Sequence, residues 1–299
     1  MIQVVGRLCA LAGLVLVTPM ATMVEAQTAP QPAPQQAASP WTPAKLLIYR
    51  EEVKPGHGAA HAANEAEWSA AFRKANAPSH WVGMTSMMGP SEAWFLSAFD
   101  SYAAYQKVQD AMDAVPALRA ADDRFSSQEG DHLSRTSAIM AGFRPALSYQ
   151  PSVDLPKMRF MQVDVVRVKP GHDREFRMMW RAMVEAHTKA KMDEHWAVYE
   201  VEAGAQDLTF FFFYAKGSLA GIDAAGPMHG SDAFRDAVGE GGRIQMREGT
   251  QAAIESSMTY VFQMRPGMST VPKEWLDADP TFWTVKAPEP AATAAAKKK

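Results

Sequence analysis

The pentapeptide Val-Lys-Pro-Gly-His occurs twice, at residues 53–57 and 168–172, and this duplication constrains the fold more than any other feature of the chain. The offset of 115 residues holds beyond the pentapeptide. His80-Trp81 falls on His195-Trp196, Gly89 on Gly204 and Phe95 on Phe210. Ala71, Lys74 and Ala75 fall on Ala186, Lys189 and Ala190. Five residues can recur by chance, but rare pairs such as His-Trp kept in register point to two diverged copies of one unit.

Each copy parses into the same elements. An apolar, partly alternating run (46–53 and 160–168) suits a half-buried strand. Lys-Pro-Gly-His ends it, because proline and glycine interrupt strands. Stretches rich in Ala, Glu, Arg, Lys and Met follow at 58–75 and 173–191 and predict a helix. A second strand begins at each His-Trp pair, and a third covers 93–99 and 208–214. Gly89-Pro90-Ser91-Glu92 and Gly204-Ala205-Gln206-Asp207 form the turns between them. Phe210 to Tyr214 is apolar on both faces, as in a strand covered on both sides. Helical sequence near 101–115 and 231–257 and a last strand near 137–143 and 258–264 complete the copies. Phe143-Arg144-Pro145 and Met264-Arg265-Pro266 close them alike, now 121 residues apart. The extra residues of the second copy fall around 226–242, where Gly226 to Gly230 and Gly239-Glu240-Gly241-Gly242 read as hinges of a surface loop.

The order βαββαβ is the ferredoxin-like pattern, expected over 45–150 and 157–268. Such a sheet carries helices on one face only, and a second sheet can bury the other. The fold class is therefore α+β, with tandem ferredoxin-like repeats forming an intramolecular dimeric α+β barrel. A strand ending in Val-Lys-Pro-Gly-His, the helix after it and the strand starting at Trp81 or Trp196 resemble the dimeric α+β-barrel superfamily, including the antibiotic-biosynthesis-monooxygenase-like and NIPSNAP-like domains. The resemblance covers 46–145 and 158–266. It implies a barrel pocket for a small apolar or aromatic ligand, with cofactor-free monooxygenase-like chemistry. It also implies haem, held by a helix histidine, as an alternative. A third reading is a non-enzymatic structural or interaction protein.

The ends of the chain differ in character. Arg7, the apolar run from Leu8 to Met20, and Val24 and Ala26 placed three and one residues before Gln27 read as a secretory signal over 1–26. The run is short for a spanning helix, so a periplasmic or secreted protein without a membrane span is expected. Cys9, the single cysteine, lies in that signal. The mature chain then has no thiol for a disulfide, a nucleophile or a metal. Residues 27–44, rich in Gln, Ala and Pro, read as a disordered linker, and 269–299 as a C-terminal extension ending in a mobile tail. A net charge of −3 lacks the basic field that nucleic acid requires, which leaves a small molecule as the expected partner. Fusion makes one chain a pseudo-dimer, so a homodimer is permitted but not required.

Candidate site residues cluster on the first helix of each copy. Phe176, Trp180, Met183 and His187 share one face, and the matching positions of the first copy are His61, Glu65, Trp68 and Phe72. A histidine on a sheet-facing stripe has the chemistry of a general base or an axial haem ligand, which makes His187 the candidate catalytic residue. His61, Asn64, Trp68, Trp180, Met183 and Tyr199 are candidate ligand-binding residues. His57, His61 and Glu65 recur every four residues, the spacing of metal ligands on a helix. His57 follows Gly56 at the helix cap, however, and Phe176 and Trp180 replace the other two in the second copy, so no metal is expected. The His-Trp pairs suit structural anchors or, as the alternative, the mouth of a pocket.

Overall fold

The computed structural model describes residues 42–225 and 231–285. The expected signal, nearly all of the expected linker, residues 226–230 of the insertion and the tail beyond 285 lie outside the described residues. The first copy comprises β1 (Lys45–Val53), α1 (Gly58–Lys74), β2 (Val82–Met88), β3 (Glu92–Phe99), α2 (Tyr102–Asp113), α3 (Pro116–Glu129) and β4 (Leu133–Phe143). The second comprises β5 (Phe160–Val168), α4 (Asp173–Ala190), β6 (Ala197–Ala203), β7 (Thr209–Lys216), α5 (Ala220–Ala225), α6 (Asp232–Ala253) and β8 (Ile254–Met264). Two short helices, α7 (Lys273–Ala278) and α8 (Pro280–Trp283), follow.

The eight strands form one closed barrel in the order β1-β3-β2-β8-β5-β7-β6-β4. Within a copy the order is that of a ferredoxin-like sheet. Between copies two antiparallel seams close it: β2 on β8, with Thr85 opposite Gln263, and β4 on β6, with Gly142 opposite Glu200. Alternation along each strand then sorts side chains by face. Leu46 and Ile48, Met161 and Val163, and Phe211 and Phe213 point into the barrel. Val166, Val168, Phe210 and Phe212 point outward and pack under the helices with Phe176. The five-residue aromatic run is thus covered on both sides, as its composition requires.

The glycines common to the copies have a conformational reason. Gly56 and Gly171 after the first strands, and Gly89 and Gly204 in the hairpin turns, all have φ between +82° and +102°, where a side chain is strained. At Gly204 a Cβ would also stand 2.0 Å from the Ala138 carbonyl oxygen.

Two expectations change. The last strands start earlier than their apolar runs, because the polar residues of β4 and β8 still pair with β1 and β5. Gly239 to Gly242 lie inside α6 rather than in a loop. Gly239 makes a kink at φ +70°, while Phe234, Val238, Met246 and Ala253 hold the helix on the apolar layer of α4. The extension after β8 is ordered through Trp283, whose indole N–H donates to the Pro156 carbonyl at 2.8 Å.

The His-Trp pairs explain how the copies hold each other. The Trp81 indole donates to the Met268 carbonyl in the turn after β8, and the Trp196 indole to the Leu147 carbonyl in the turn after β4, both at 2.8 Å. Each turn's serine repeats the pattern. Ser269 accepts from the Gly83 N–H and Ser148 from the Val198 N–H, both at 2.9 Å. Each copy therefore grips the closing turn of the other. Trp196 is 2 % exposed, whereas Trp81 is only half-buried. Trp196→Ala is expected to lower stability by about 3–5 kcal/mol, and Trp81→Ala by less, in urea unfolding. Equal small losses would show that the clasp is incidental.

Candidate functional site

A cavity of about 530 Å³ opens at the barrel end where β1 and β5 begin. Its floor is apolar and drawn from both copies: Leu46, Met84 and Leu96 from the first, Met161, Phe213 and Met264 from the second. Unbranched methionine suits such a floor, because its thioether adapts to irregular shapes. Tyr199 lies in the wall with its hydroxyl donating to the Pro43 carbonyl at 3.1 Å, and burial raises its phenol pKa. Trp275 of α7 closes one side, and Ala104 and Val108 of α2 stand on another.

The polar groups lie at the mouth. Both His-Trp pairs line the cavity, together with Ser79 and Asp100. The His195 Nδ1–H donates to the Gln150 carbonyl at 2.8 Å, since a carbonyl only accepts, and its Nε2 lies 3.5 Å from Asp193. The His-Trp motif therefore serves both as clasp and as rim, which unites its two expected roles.

The candidate residues divide between two layers. Tyr199 lines the cavity. His187, Trp180 and Met183 lie on the other side of the sheet, in the layer between α4 and the barrel wall. His187 is completely buried, its Nδ1 2.8 Å from the Met183 carbonyl and its Nε2 2.9 Å from Glu194. Its ring packs on Trp196 and Phe234 at centroid distances of 4.8 and 5.0 Å. An axial haem ligand must offer a nitrogen lone pair to iron. With both ring nitrogens engaged and aromatic rings around it, His187 does not fit that role, nor can it reach a ligand in the barrel. Helical periodicity marked the sheet-facing stripe correctly, but that stripe meets the outside of the barrel. The residues missed were Trp275, Met161 and Met264, whose only signal was aromatic content in the extension and alternation in the strands.

His61, Asn64 and Trp68 occupy the matching layer of the first copy. Trp68 stacks on Phe125 of α3 at 5.8 Å. His61 Nε2 lies 2.7 Å from Glu51 of β1 and 3.1 Å from Glu129 of α3, and the Asn64 amide donates to Glu129. Glu65 completes this buried group, and among the described residues its Oε1 has no hydrogen-bond partner. Burial, then the charges of Glu51 and Glu129, push the Glu65 carboxyl up to about 9. His57 is not part of it and pairs with His132 at 3.1 Å.

No family model matches the chain, and no curated protein matches it. Solved structures do. An anthrone oxidase-like protein is 11% identical with a TM-score of 0.49, covering 74% of this chain and 91% of its own. A monooxygenase-like protein from Lactobacillus acidophilus NCFM is 10% identical at 0.46, covering 74% and 93%. A chlorite dismutase variant from Candidatus Nitrospira defluvii is 12% identical at 0.43, covering 79% and 95%. The strand order itself defines the class: this is a dimeric α+β barrel built within one chain.

The raised Glu65 carboxyl predicts a pH dependence. Its unfolded counterpart ionises near 4.5, so between that value and about 9 the folded state binds more protons and stability falls as pH rises. Urea unfolding of chelator-treated protein from pH 5 to 9 is expected to show this loss, with Glu65 contributing at most about 1.4 kcal/mol per pH unit. Glu65→Gln should flatten it. An unchanged slope in the variant would contradict the assignment.

Proposed function

We propose that the protein is exported and binds a small, largely apolar or aromatic molecule in the barrel-end cavity, with the molecule's polar end at the rim. The observation that carries this reading is the segregation within the cavity: an apolar floor from both copies and polar groups gathered at the mouth. Its volume lies within the range of small-molecule sites, and convergent polar groups on an apolar pocket are their usual form. Rim groups would orient the ligand, and the floor would supply affinity through burial of its apolar surface. The base that cofactor-free oxygenation of such a ligand requires would be a rim imidazole, His195 or His80, in place of His187. Export rests on the apolar run and the small residues before Gln27. Among the described residues no helix is long and apolar enough to cross a membrane.

Native mass spectrometry of periplasmic material tests both parts together. The expected species is a chain beginning at Gln27 that carries a small non-covalent adduct. Ala215→Trp, which fills the cavity from β7, should cut adduct occupancy roughly tenfold or more, a change worth about 1.4 kcal/mol of binding. A chain retaining Met1 would contradict export. An adduct held equally by Ala215→Trp would contradict the cavity as its site.

A further inference from the structure

The two copies place opposite chemistry at one position of the fold. In the second copy the layer between β5 and α4 is filled by Val166, Phe176 and Trp180, with Phe176 and Trp180 4.6 and 4.2 Å from Phe210 and Phe212. At the same offset the first copy has Glu51, His61 and Glu65, and Ser97 stands where the second has Phe212. The correspondence extends to the later helix: Asn64 meets Glu129 in the first copy, and Met179 meets Thr250 in the second. The fold alone therefore does not require buried polar groups at these positions, because the second copy fills them with apolar side chains.

Glu51, His61, Glu65 and Glu129 are 2 %, 1 %, 3 % and 3 % exposed, and one ligand atom from each lies within 4.8 Å of all the others. Among the described residues no lysine or arginine pairs with any of the three carboxylates; the His61 imidazole lies against two of them, Glu51 and Glu129. Among the described residues the buried Glu65 Oε1 has no hydrogen-bond partner, and one oxygen of that carboxyl belongs to the group. Burying three carboxylates around one imidazole is costly unless added positive charge, a proton on Glu65 or a metal ion, joins them. Three carboxylate oxygens and one imidazole nitrogen at this spacing need little contraction to enclose an ion. Oxygen donors suit manganese, and imidazole suits iron and zinc.

We propose that Glu51, His61, Glu65 and Glu129 form a buried site for one divalent first-row metal ion, such as Mn²⁺, Fe²⁺ or Zn²⁺. This departs from the sequence expectation of no metal. Two of the ligands come from α1, one from β1 and one from α3, so the ion would tie both helices to the sheet. The site lies on the helix side of the barrel wall and does not depend on the ligand cavity. The Asn64 amide would hold Glu129 in position from behind.

The test uses the full chain, stripped with chelator and then titrated with Mn²⁺ or Zn²⁺. About one ion per chain is expected to survive equilibrium dialysis, with a rise of at least a few degrees in melting temperature. Bound Mn²⁺ should show nitrogen hyperfine coupling in pulsed EPR from the single imidazole. Glu65→Gln should weaken binding about tenfold or more, and Glu67→Gln, on the exposed face of α1, should leave it unchanged. Absence of stoichiometric binding of either ion overturns the proposal. So does bound Mn²⁺ without nitrogen coupling, a readout that stands on the unsubstituted protein even if Glu65→Gln fails to fold.

Discussion

A four-stranded sheet with helices on one side leaves its other side bare, and the structure depends on two such faces burying each other. Neither copy can do this alone. Ile48 and Trp94 of the first copy have to meet Val163, Phe211 and Phe262 of the second, and all five are almost completely buried. Closing the seams at β2–β8 and β4–β6 also removes every sheet edge, which otherwise offers unpaired backbone groups to other chains. The reciprocal indole-to-carbonyl grip of Trp81 and Trp196 then locks the end of the barrel, where each copy's closing turn lies against its partner.

The same closure accounts for the cavity. Toward one end the interior is filled by aromatic rings and a polar plug. Arg50 pairs with Glu92, which also accepts from the Trp94 indole at 2.6 Å and from the Tyr260 hydroxyl at 3.1 Å. Toward the other end methionine, leucine and alanine share the interior with Phe213 and Tyr199, and the barrel does not fill. Thus one interior holds a rigid, satisfied end and a pliable, open one. Divergence after duplication has acted in a second place as well, filling equivalent helix–sheet positions with aromatic rings in one copy and with three carboxyl groups and an imidazole in the other.

Much of the fold was legible because duplication doubles each signal. The Val-Lys-Pro-Gly-His junctions, the turn glycines and the period-two strands each report on local backbone geometry, and local geometry is what residue type constrains most directly. The bare-face constraint pointed to a barrel but not to its seams, and the pairing of β2 with β8 is a long-range contact that no local pattern marked. The site was less legible. His187 stood out as a lone histidine on an apolar stripe, but periodicity identifies a face without saying what lies opposite it. Two of the four carboxylate–imidazole residues share α1 and were visible through their spacing. Glu51 and Glu129 arrive from distant parts of the chain, so no local pattern could join them. Ordering of the extension through Trp275 and Trp283 likewise needed the barrel end to pack against.

The central claim, that two halves of one chain close one barrel, is open to a direct measurement because the only native cysteine is Cys9. Thr85→Cys with Gln263→Cys places two thiols opposite each other across the β2–β8 seam, in a chain beginning at Gln27. On mild oxidation at low protein concentration the account predicts a disulfide within the monomer, seen as an unchanged mass under non-reducing denaturing conditions and a linked peptide after digestion. Cross-links forming only between chains, or none at all in protein that is folded, would contradict it.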